Sequence, residues 1–337
     1  MELILDKDIW DGFVEASPNG TLFHRWDFLQ IVQKYTGYKL YPYGIYQKGE
    51  LISVIPFFLR IHNGLKMMIS PPPLPMANVP YLGFAMSPAF HELPPHEKIV
   101  AWDRIVREMH RGLKPSPNYV CIGQTSDISD TRPFEWQHYE VDQQYTYVLD
   151  LNKPLKEIWD GFDRDCRKNI NECKTHPLSF REVNDVDRFN ETMKEHLTRD
   201  GPTFYHRRDP AYLAELLRTF PANIKLYFFY NGDEIVGVKI NLGYKKNYMS
   251  WMGNVSVRKG LSTNEYFYWE LIKKAREDGY KRHENYGSYN PRLNLFKSKF
   301  NPALEPCFYV QKKDLLFSTM WRSYNAVAGF AKAIRVK

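Results

Sequence analysis

The chain has little cysteine and no long apolar run, and both features limit the kinds of protein it can be. Its cysteines, Cys121, Cys166, Cys173 and Cys307, form no C-x-x-C pair, which disfavours a zinc knuckle and a disulfide framework. No stretch reaches the apolar length of a membrane span, and the first residues lack the basic and apolar progression of a signal peptide. We therefore expect a cytoplasmic protein that holds no metal ion.

Charge is unevenly distributed along the 337 residues, whose net charge is +7. Residues 1–150 carry 13 Lys and Arg against 17 Asp and Glu, whereas residues 151–337 carry 33 against 22. This asymmetry favours an anionic partner for the second half, through phosphate neutralisation and steering. A basic surface that serves only solubility is the alternative from charge alone.

One strand, turn and strand pattern occurs twice. Residues 46–54, Tyr-Gln-Lys-Gly-Glu-Leu-Ile-Ser-Val, match residues 230–238, Tyr-Asn-Gly-Asp-Glu-Ile-Val-Gly-Val, at an offset of 184. Each copy predicts a β-hairpin, and each is followed by an amphipathic helix that ends at a glycine, at residues 97–111 before Gly112 and 264–278 before Gly279. The repeat predicts two copies of one α/β domain.

Further elements are predicted around the hairpins. Helices are expected at residues 23–35, at 186–199, at 211–220 and from a cap at Asn152 onward into 164–174, and residues 70–80 are expected to form a stiff proline-rich loop. The final segment pairs apolar Leu316 and Trp321 with basic Arg322 and Lys337. One interpretation is a helix that lies on anionic lipid and makes a weak peripheral membrane contact. The other, which we favour, is a helix packed against the second domain.

Several loose motifs follow one another in a fixed order in the second half. They are Tyr-Val-Leu-Asp-Leu at 147–151, Arg-Lys-Asn-Ile at 167–170, Arg-Asp-Pro-Ala-Tyr at 208–212, Tyr-Met-Ser-Trp-Met-Gly at 248–253, Glu-Asn-Tyr-Gly-Ser at 284–288 and the Phe296 and Lys297 pair. This order resembles the FemABX family, cytoplasmic transferases that move an amino acid from aminoacyl-tRNA onto an amine of a cell-wall precursor. Asn285 stands where the family has an acidic residue, which puts a proton-transfer role there in doubt.

The resemblance implies an α/β fold of two tandem GNAT-like (acyl-CoA N-acyltransferase-like) domains, each a mixed, mostly antiparallel sheet flanked by helices. We place the domains at residues 1–146 and 147–314, followed by a basic C-terminal helical segment at 315–337. The implied activity is an aminoacyltransferase that acts as a monomer, uses aminoacyl-tRNA as co-substrate without another cofactor, and modifies an amine-bearing small molecule or peptide, for example a cell-wall or nucleotide-linked acceptor.

The resemblance also assigns roles to residues. Lys297 and Phe296 would be catalytic, beside the acylated end of the tRNA, and the substrate-binding residues would be Arg207, Arg208, Tyr212, Trp251, Arg167 and Lys168. From the residues alone, Phe296, Trp251 and Tyr212 can also be explained as core, and Arg167 and Lys168 as a solvated helix face. Glu284, His206 and Asp200 are acid and base candidates, but no spacing singles one out.

Two other functions remain open. An acyl-CoA-dependent GNAT-type N-acyltransferase would need glycines at the start of the helix near 264, where this chain has Leu261 and Thr263; their side chains would crowd a pyrophosphate. The other is a non-catalytic RNA-binding GNAT-like protein.

Overall fold

A computed structural model of the chain describes residues 1–197, 209–255, 261–287 and 290–321. These residues form two compact units. The first comprises residues 1–74, 79–143 and the chain from Cys307 onward, and the second comprises residues 75–78 and 144–306. No helix in the described ranges is both long and apolar enough to cross a bilayer.

The first half of the chain alternates helices and strands from its first residues. A 3-10 turn lies at Leu22–His24, and the other elements are β1 (Glu2–Leu3), α1 (Lys7–Ala16), α2 (Trp26–Thr36), β2 (Lys39–Gln47), β3 (Glu50–His62), β4 (Leu65–Ser70), α3 (Leu74–Ala77), β5 (Ala85–Met86), α4 (Pro88–Glu92), α5 (Pro95–Gly112), β6 (Tyr119–Gly123), α6 (Arg132–Trp136) and β7 (Glu140–Asp150).

The second half repeats this order after two connecting helices. Its elements are α7 (Leu155–Asp160), α8 (Arg164–Cys173), β8 (Leu178–Glu182), α9 (Val186–Leu197), α10 (Pro210–Thr219), β9 (Ile224–Asn231), β10 (Glu234–Tyr244), β11 (Asn247–Val255), α11 (Thr263–Glu277), β12 (Arg282–Tyr286), α12 (Pro291–Ser298) and β13 (Ala303–Lys313).

The predicted repeat is therefore longer than the hairpin that revealed it. Apart from the short α3, β5 and α4, the series from β1 to β7 has the same order of helices and strands as the series from β8 to β13. The two predicted hairpins are β2 with β3 and β9 with β10. Each copy also contains one parallel strand pair, β4 with β6 and β11 with β12, on either side of its long helix.

The last strand of each copy completes the sheet of the other unit. In the first unit the order is β1-β2-β3-β4-β6-β13, and in the second it is β8-β9-β10-β11-β12-β7. β13 pairs antiparallel with β6, and β7 pairs antiparallel with β12. The two compact units therefore have bounds that differ from residues 1–146 and 147–314. Those limits stay a prediction of the domain boundaries.

Local side-chain chemistry explains where several helices begin and end. α2 ends at Gly37, whose φ of 70° is the left-handed conformation that glycine adopts without strain. The helix expected from Asn152 through residue 174 is instead two helices, so that prediction was wrong. The Asp163 carboxylate accepts hydrogen bonds from the backbone N–H groups of Asp165 and Cys166 and starts α8 as a separate helix.

The described part of the C-terminal segment is helical at residues 315–321. Phe317 is buried and stacks on Tyr119 with ring centroids 4.7 Å apart. Both residues belong to the first unit, so packing against the second domain was the wrong expectation for these residues. Residues 322–337, which carry the predicted basic pattern, lie outside the described residues.

Candidate acyl-transfer site in the second unit

The parallel strands β11 and β12 of the second unit pair over only part of their length. Asn247, Tyr248 and Met249 pair with Arg282, His283 and Glu284, and no pairing beyond Met249 and Glu284 occurs among the described residues. β11 continues to Val255, whereas β12 continues beside β7. In the first unit, by contrast, β4 pairs with β6 through its last residue, Ser70. We call the gap in the second sheet the β11–β12 opening.

A β-bulge lies beside the β11–β12 opening. Ile240 pairs with Met252 and Asn241 pairs with Ser250, so Trp251 is an extra residue in β11. Bulges of this kind bend a strand and redirect a side chain. The bulge is thus a local cause of the divergence of β11 from β12.

Lys297 lies in the last turn of α12 and is 7% exposed. Its Nζ donates to the carbonyl oxygens of Asn285, Tyr286 and Gly287 at 3.2, 2.7 and 2.6 Å, and it lies 5.2 Å from the centroid of the Tyr147 ring. An ammonium has three N–H donors, so these carbonyls use all of them. Lys297 therefore holds the end of β12 at the opening.

The charge state of Lys297 is finely balanced. Burial, together with the positive charge of Lys239, lowers the pKa of Lys297 to about 7, and the nearby Glu284 opposes this shift. The three carbonyl oxygens also favour the ammonium form. The pKa of Lys297 therefore lies near neutral pH, well below that of an exposed lysine.

Two polar residues beside Lys297 were not identified from the sequence. Burial lowers the pKa of Lys239 on β10 to about 8. Burial and the Lys239 charge lower the pKa of His283 on β12 to about 3, so the imidazole is neutral at physiological pH. Its Nε2 lies 3.1 Å from the Ser250 Oγ. The signal in the sequence was the repeat itself, since the offset of 184 aligns Lys239 with Ile55.

Phe296 packs partly into the core of the second unit. Its ring centroid lies 6.1 Å from that of Tyr268 and 5.4 Å from that of Phe300. These contacts agree with the core explanation of Phe296, and its catalytic role stays a prediction.

Glu284 is a buried carboxylate whose oxygens are already occupied. It is 2% exposed, and it accepts hydrogen bonds from the Thr146 Oγ1 at 2.7 Å and from the Arg282 guanidinium at 3.0 Å. Arg282 also pairs with Glu305. This network ties β12 to β7 and supports the edge of the opening.

Trp251 and Tyr212 both bind the backbone of the short segment 75–78. The Trp251 indole donates to the Asn78 carbonyl at 2.7 Å, and the Tyr212 hydroxyl donates to the Ala77 carbonyl at 2.8 Å. Tyr212 is 1% exposed. Their predicted substrate contacts stay predictions, because the structure gives both polar groups a partner within the protein.

The helix that contains Tyr212 begins after the two predicted substrate-binding arginines. Asp209 is the N-cap of α10, which begins at Pro210, so residue 208 precedes the helix. Arg207 and Arg208 lie outside the described residues, as do Asp200 and His206.

The cationic pair on α8 divides into one structural and one exposed residue. The Arg167 guanidinium donates to the carbonyls of Asp160 and Phe162 at 2.7 and 2.5 Å and so caps the end of α7. Lys168 is exposed, with its Nζ 3.7 Å from the Glu172 carboxylate. Of the two, Lys168 is the more exposed.

The first turn of α11 already contains a negative charge. Glu265 is 3% exposed, and it accepts hydrogen bonds from the Lys299 Nζ at 2.6 Å and the Asn169 side chain at 2.7 Å. A carboxylate there interacts favourably with the helix dipole and occupies the place that an anion would otherwise take. Among the described residues, no group of three or more His, Cys, Asp or Glu side chains is placed to hold a metal ion.

Comparison with known proteins agrees with this fold. Residues 161–291 match the family model described as an acetyltransferase (GNAT) domain. None of the curated proteins matches the chain. Solved structures do match it over most of its length, at sequence identities that bear on the fold alone.

The crystal structure of FemX matches with a TM-score of 0.68 and 13% identity, over 91% of this chain and 97% of FemX. The C-terminal domain of a putative lysylphosphatidylglycerol synthetase from Agrobacterium fabrum matches at 0.53 and 11%, over 89% and 91%. A tandem GNAT protein from the clavulanic acid biosynthesis pathway matches at 0.52 and 9%, over 91% and 95%. The chain is thus a FemABX-like protein in its fold, with two GNAT-like domains in tandem.

Proposed function

We propose that this protein is an aminoacyltransferase that moves an amino acid from aminoacyl-tRNA to the amine of a small-molecule or peptide acceptor. The observation that carries the proposal is the β11–β12 opening, which the second unit has and the first lacks, with the buried Lys297 at its edge. The acyltransferase-type fold, which this chain shares with FemX, makes acyl transfer the reaction to expect at such an opening.

The reaction asks for positioning more than for acid or base strength. The acceptor nitrogen attacks the ester carbonyl carbon, the C–N bond forms, and the C–O bond to the tRNA ribose breaks. The proton lost by the nitrogen goes to the departing ribose oxygen. Since Glu284 is engaged by Thr146 and Arg282, we infer that the substrates pass this proton directly, without a dedicated base.

The start of α11 supports tRNA over acyl-CoA as the donor. A pyrophosphate at this helix N-terminus would meet the Glu265 carboxylate and the buried Thr263 side chain, and like charges in a poorly solvated position repel strongly. An ester at the end of a tRNA needs no pyrophosphate site there.

The alternative is an acyl-CoA-dependent N-acyltransferase. The observation in its favour is the match of residues 161–291 to a GNAT acetyltransferase domain. Both donors present an acyl carbonyl to an amine, so the same opening would serve either.

One experiment separates these functions. The purified protein is incubated with tRNA charged with labelled amino acids and with a set of cellular amines, and mass spectrometry follows the label; its thermal stability is measured with and without acetyl-CoA. We expect amide products and no stabilisation by acetyl-CoA. A ligand that binds the folded state raises the melting temperature, so an unchanged melting temperature indicates that acetyl-CoA does not bind. Stabilisation together with acetyl transfer would establish the alternative. Salt-sensitive tRNA binding without any product would instead indicate a non-catalytic RNA-binding protein.

A further inference from the structure

The two copies of the repeat differ sharply at two positions of one strand. The offset of 184 aligns Ile55 with Lys239 and Phe57 with Asn241. In the first unit, Ile55 and Phe57 are fully buried members of an apolar core cluster. In the second unit the corresponding positions of β10 hold an amine and an amide.

Lys239 lies on β10, an inner strand of the second sheet, beside the β11–β12 opening; the residue as a whole is half-buried, while its amine is desolvated. Its Cα is paired with Tyr227 of β9 on one side and with Gly253 of β11 on the other. Gly253 belongs to the part of β11 that has left β12. A Cβ at Gly253 would lie 2.6 Å from the Lys239 Cα, so β10 and β11 approach closely here.

The Lys239 amine has no protein partner among the described residues, since it makes no hydrogen bond or ion pair with them. Two polar atoms in the same interior also lack hydrogen-bond partners within the described part of the chain. The Asn241 Oδ1 and the His283 Nδ1 are buried without a hydrogen-bond partner, and both residues are fully buried. Unpartnered buried polar groups are destabilising. Proteins retain such violations mainly where function requires them.

Lys297 cannot donate a hydrogen bond to a substrate while its ammonium is held as observed. Its three N–H groups are directed at the carbonyls of Asn285, Tyr286 and Gly287. Lys239 is the neighbouring cation whose donors are uncommitted. The Lys239 charge acts on the residues at the β11–β12 opening, because it lowers the pKa of both Lys297 and His283.

We propose that Lys239 is a catalytic residue whose ammonium donates a hydrogen bond to the reacting carbonyl oxygen of the acyl donor. The inference deepens the proposed function and rests on it. As the acceptor nitrogen attacks, the C–N bond forms and the carbonyl π electrons move to oxygen, where Lys239 stabilises the negative charge. The intermediate then re-forms the carbonyl and expels the donor's alkoxide, or a thiolate if the donor is a thioester. The expelled group takes the proton from the attacking nitrogen, and Lys239 keeps its own proton throughout.

The test compares Lys239→Met with Ile55→Met, the same substitution at the equivalent position of the other copy. Transfer is measured with the donor and acceptor identified for the wild-type protein. Because removal of one oxyanion donor typically lowers kcat by about 100- to 1,000-fold, we expect a loss of that size for Lys239→Met with little change in KM for the donor. Ile55→Met should leave kcat within about twofold of wild type.

The pH profile distinguishes a direct role from an effect exerted through Lys297. The titratable groups of this interior are Tyr227 on β9, Tyr248 on β11, His283 and Glu284 on β12, Tyr268 on α11 and Lys297 on α12. If the protonated Lys239 is the active form, kcat falls as pH rises through about 8, and Lys239→Arg shifts this fall to higher pH because arginine stays charged.

Each outcome decides one point. If the wild-type protein transfers no acyl group from any donor, the proposed function falls and this inference with it. If the wild type is active and Lys239→Met is equally fast at its own optimum pH, the proposed function stands and the role of Lys239 is refuted. If Lys239→Met fails to fold, the fall of kcat at alkaline pH is compared between Lys239→Arg and the wild type. An unchanged pH profile in Lys239→Arg then refutes the inference.

Discussion

Replacing Lys239 by isoleucine, the residue found at the equivalent position of the first copy, should stabilise the protein. Lysine and isoleucine have similar volumes, and Ile55 is fully buried in its own unit. The change therefore removes an unpartnered amine without opening a large cavity. It also removes the oxyanion donor that we infer, so the variant should be more stable and less active.

The size of the gain follows from the pKa of Lys239. Burial lowers it from 10.5 to about 8, and each unit corresponds to about 1.4 kcal/mol. Below pH 8 the folded protein bears the whole desolvation cost of the ammonium, which makes the expected gain about 3 kcal/mol at pH 7. As pH rises from 8 to 10.5 the unfolded chain binds more protons than the folded one, so the wild type recovers this stability and the difference should shrink toward zero.

The assay is urea unfolding of both proteins at pH 7 and pH 10, followed by tryptophan fluorescence. The converse variant, Ile55→Lys, is the matched control and should destabilise the first unit at pH 7, because it buries an amine in an apolar cluster. A Lys239→Ile protein that is less stable than wild type at pH 7, or whose gain is the same at pH 10, would refute the reasoning that the Lys239 amine is buried without a partner.

Three further predictions test the interior of the second unit. Lys297→Met should lower the free energy of unfolding by about 2 kcal/mol because it removes the donor from three buried or partly buried carbonyls. The exposed Lys168→Met should change it by less than about 0.5 kcal/mol, and equal effects of the two substitutions in urea unfolding would contradict the observed contacts. His283, with its pKa lowered from 6.5 to about 3, should stay neutral in the fold while the unfolded chain takes up a proton, so stability should fall as pH drops from 6.5 toward 3. At pH 4.5 this loss should be about 3 kcal/mol, and His283→Gln should remove it from the difference between titrated melting curves. Gly253→Ala should destabilise by about 2 kcal/mol because its Cβ would meet the β10 backbone at a φ of +127°, while Gly12→Ala, in open space within α1, should stabilise slightly; calorimetry would expose the opposite order.

The local part of the fold could be predicted from the sequence because turn and cap chemistry acts over a few residues. Both hairpins lie where the pattern placed them, and α2 ends at Thr36 before Gly37, within one residue of the end of the helix expected at residues 23–35. The break at Asp163 was missed because a helical apolar pattern continues across it, and only the cap geometry shows that a new helix begins.

The long-range part could not be predicted in the same way. Nothing in the pattern of β7 or β13 indicates which strand it pairs with, because pairing depends on which edge is free after the other strands have formed. The burial of Lys297 was hidden for a similar reason, since its carbonyl partners lie on a strand end brought near by the tertiary fold. The importance of Lys239 was accessible only through comparison of the two copies with each other.

The reciprocal pairing of β13 with β6 and of β7 with β12 has a consequence for how the chain can be divided. A fragment that stops after β7 would leave the backbone groups of β6 open at a sheet edge, and one that starts at α7 would do the same to β12. Such fragments should be insoluble or self-associating when expressed singly, yet recover their structure when co-expressed. A gene duplication that fused two subunits of a strand-swapped homodimer would produce this connectivity in a single polypeptide.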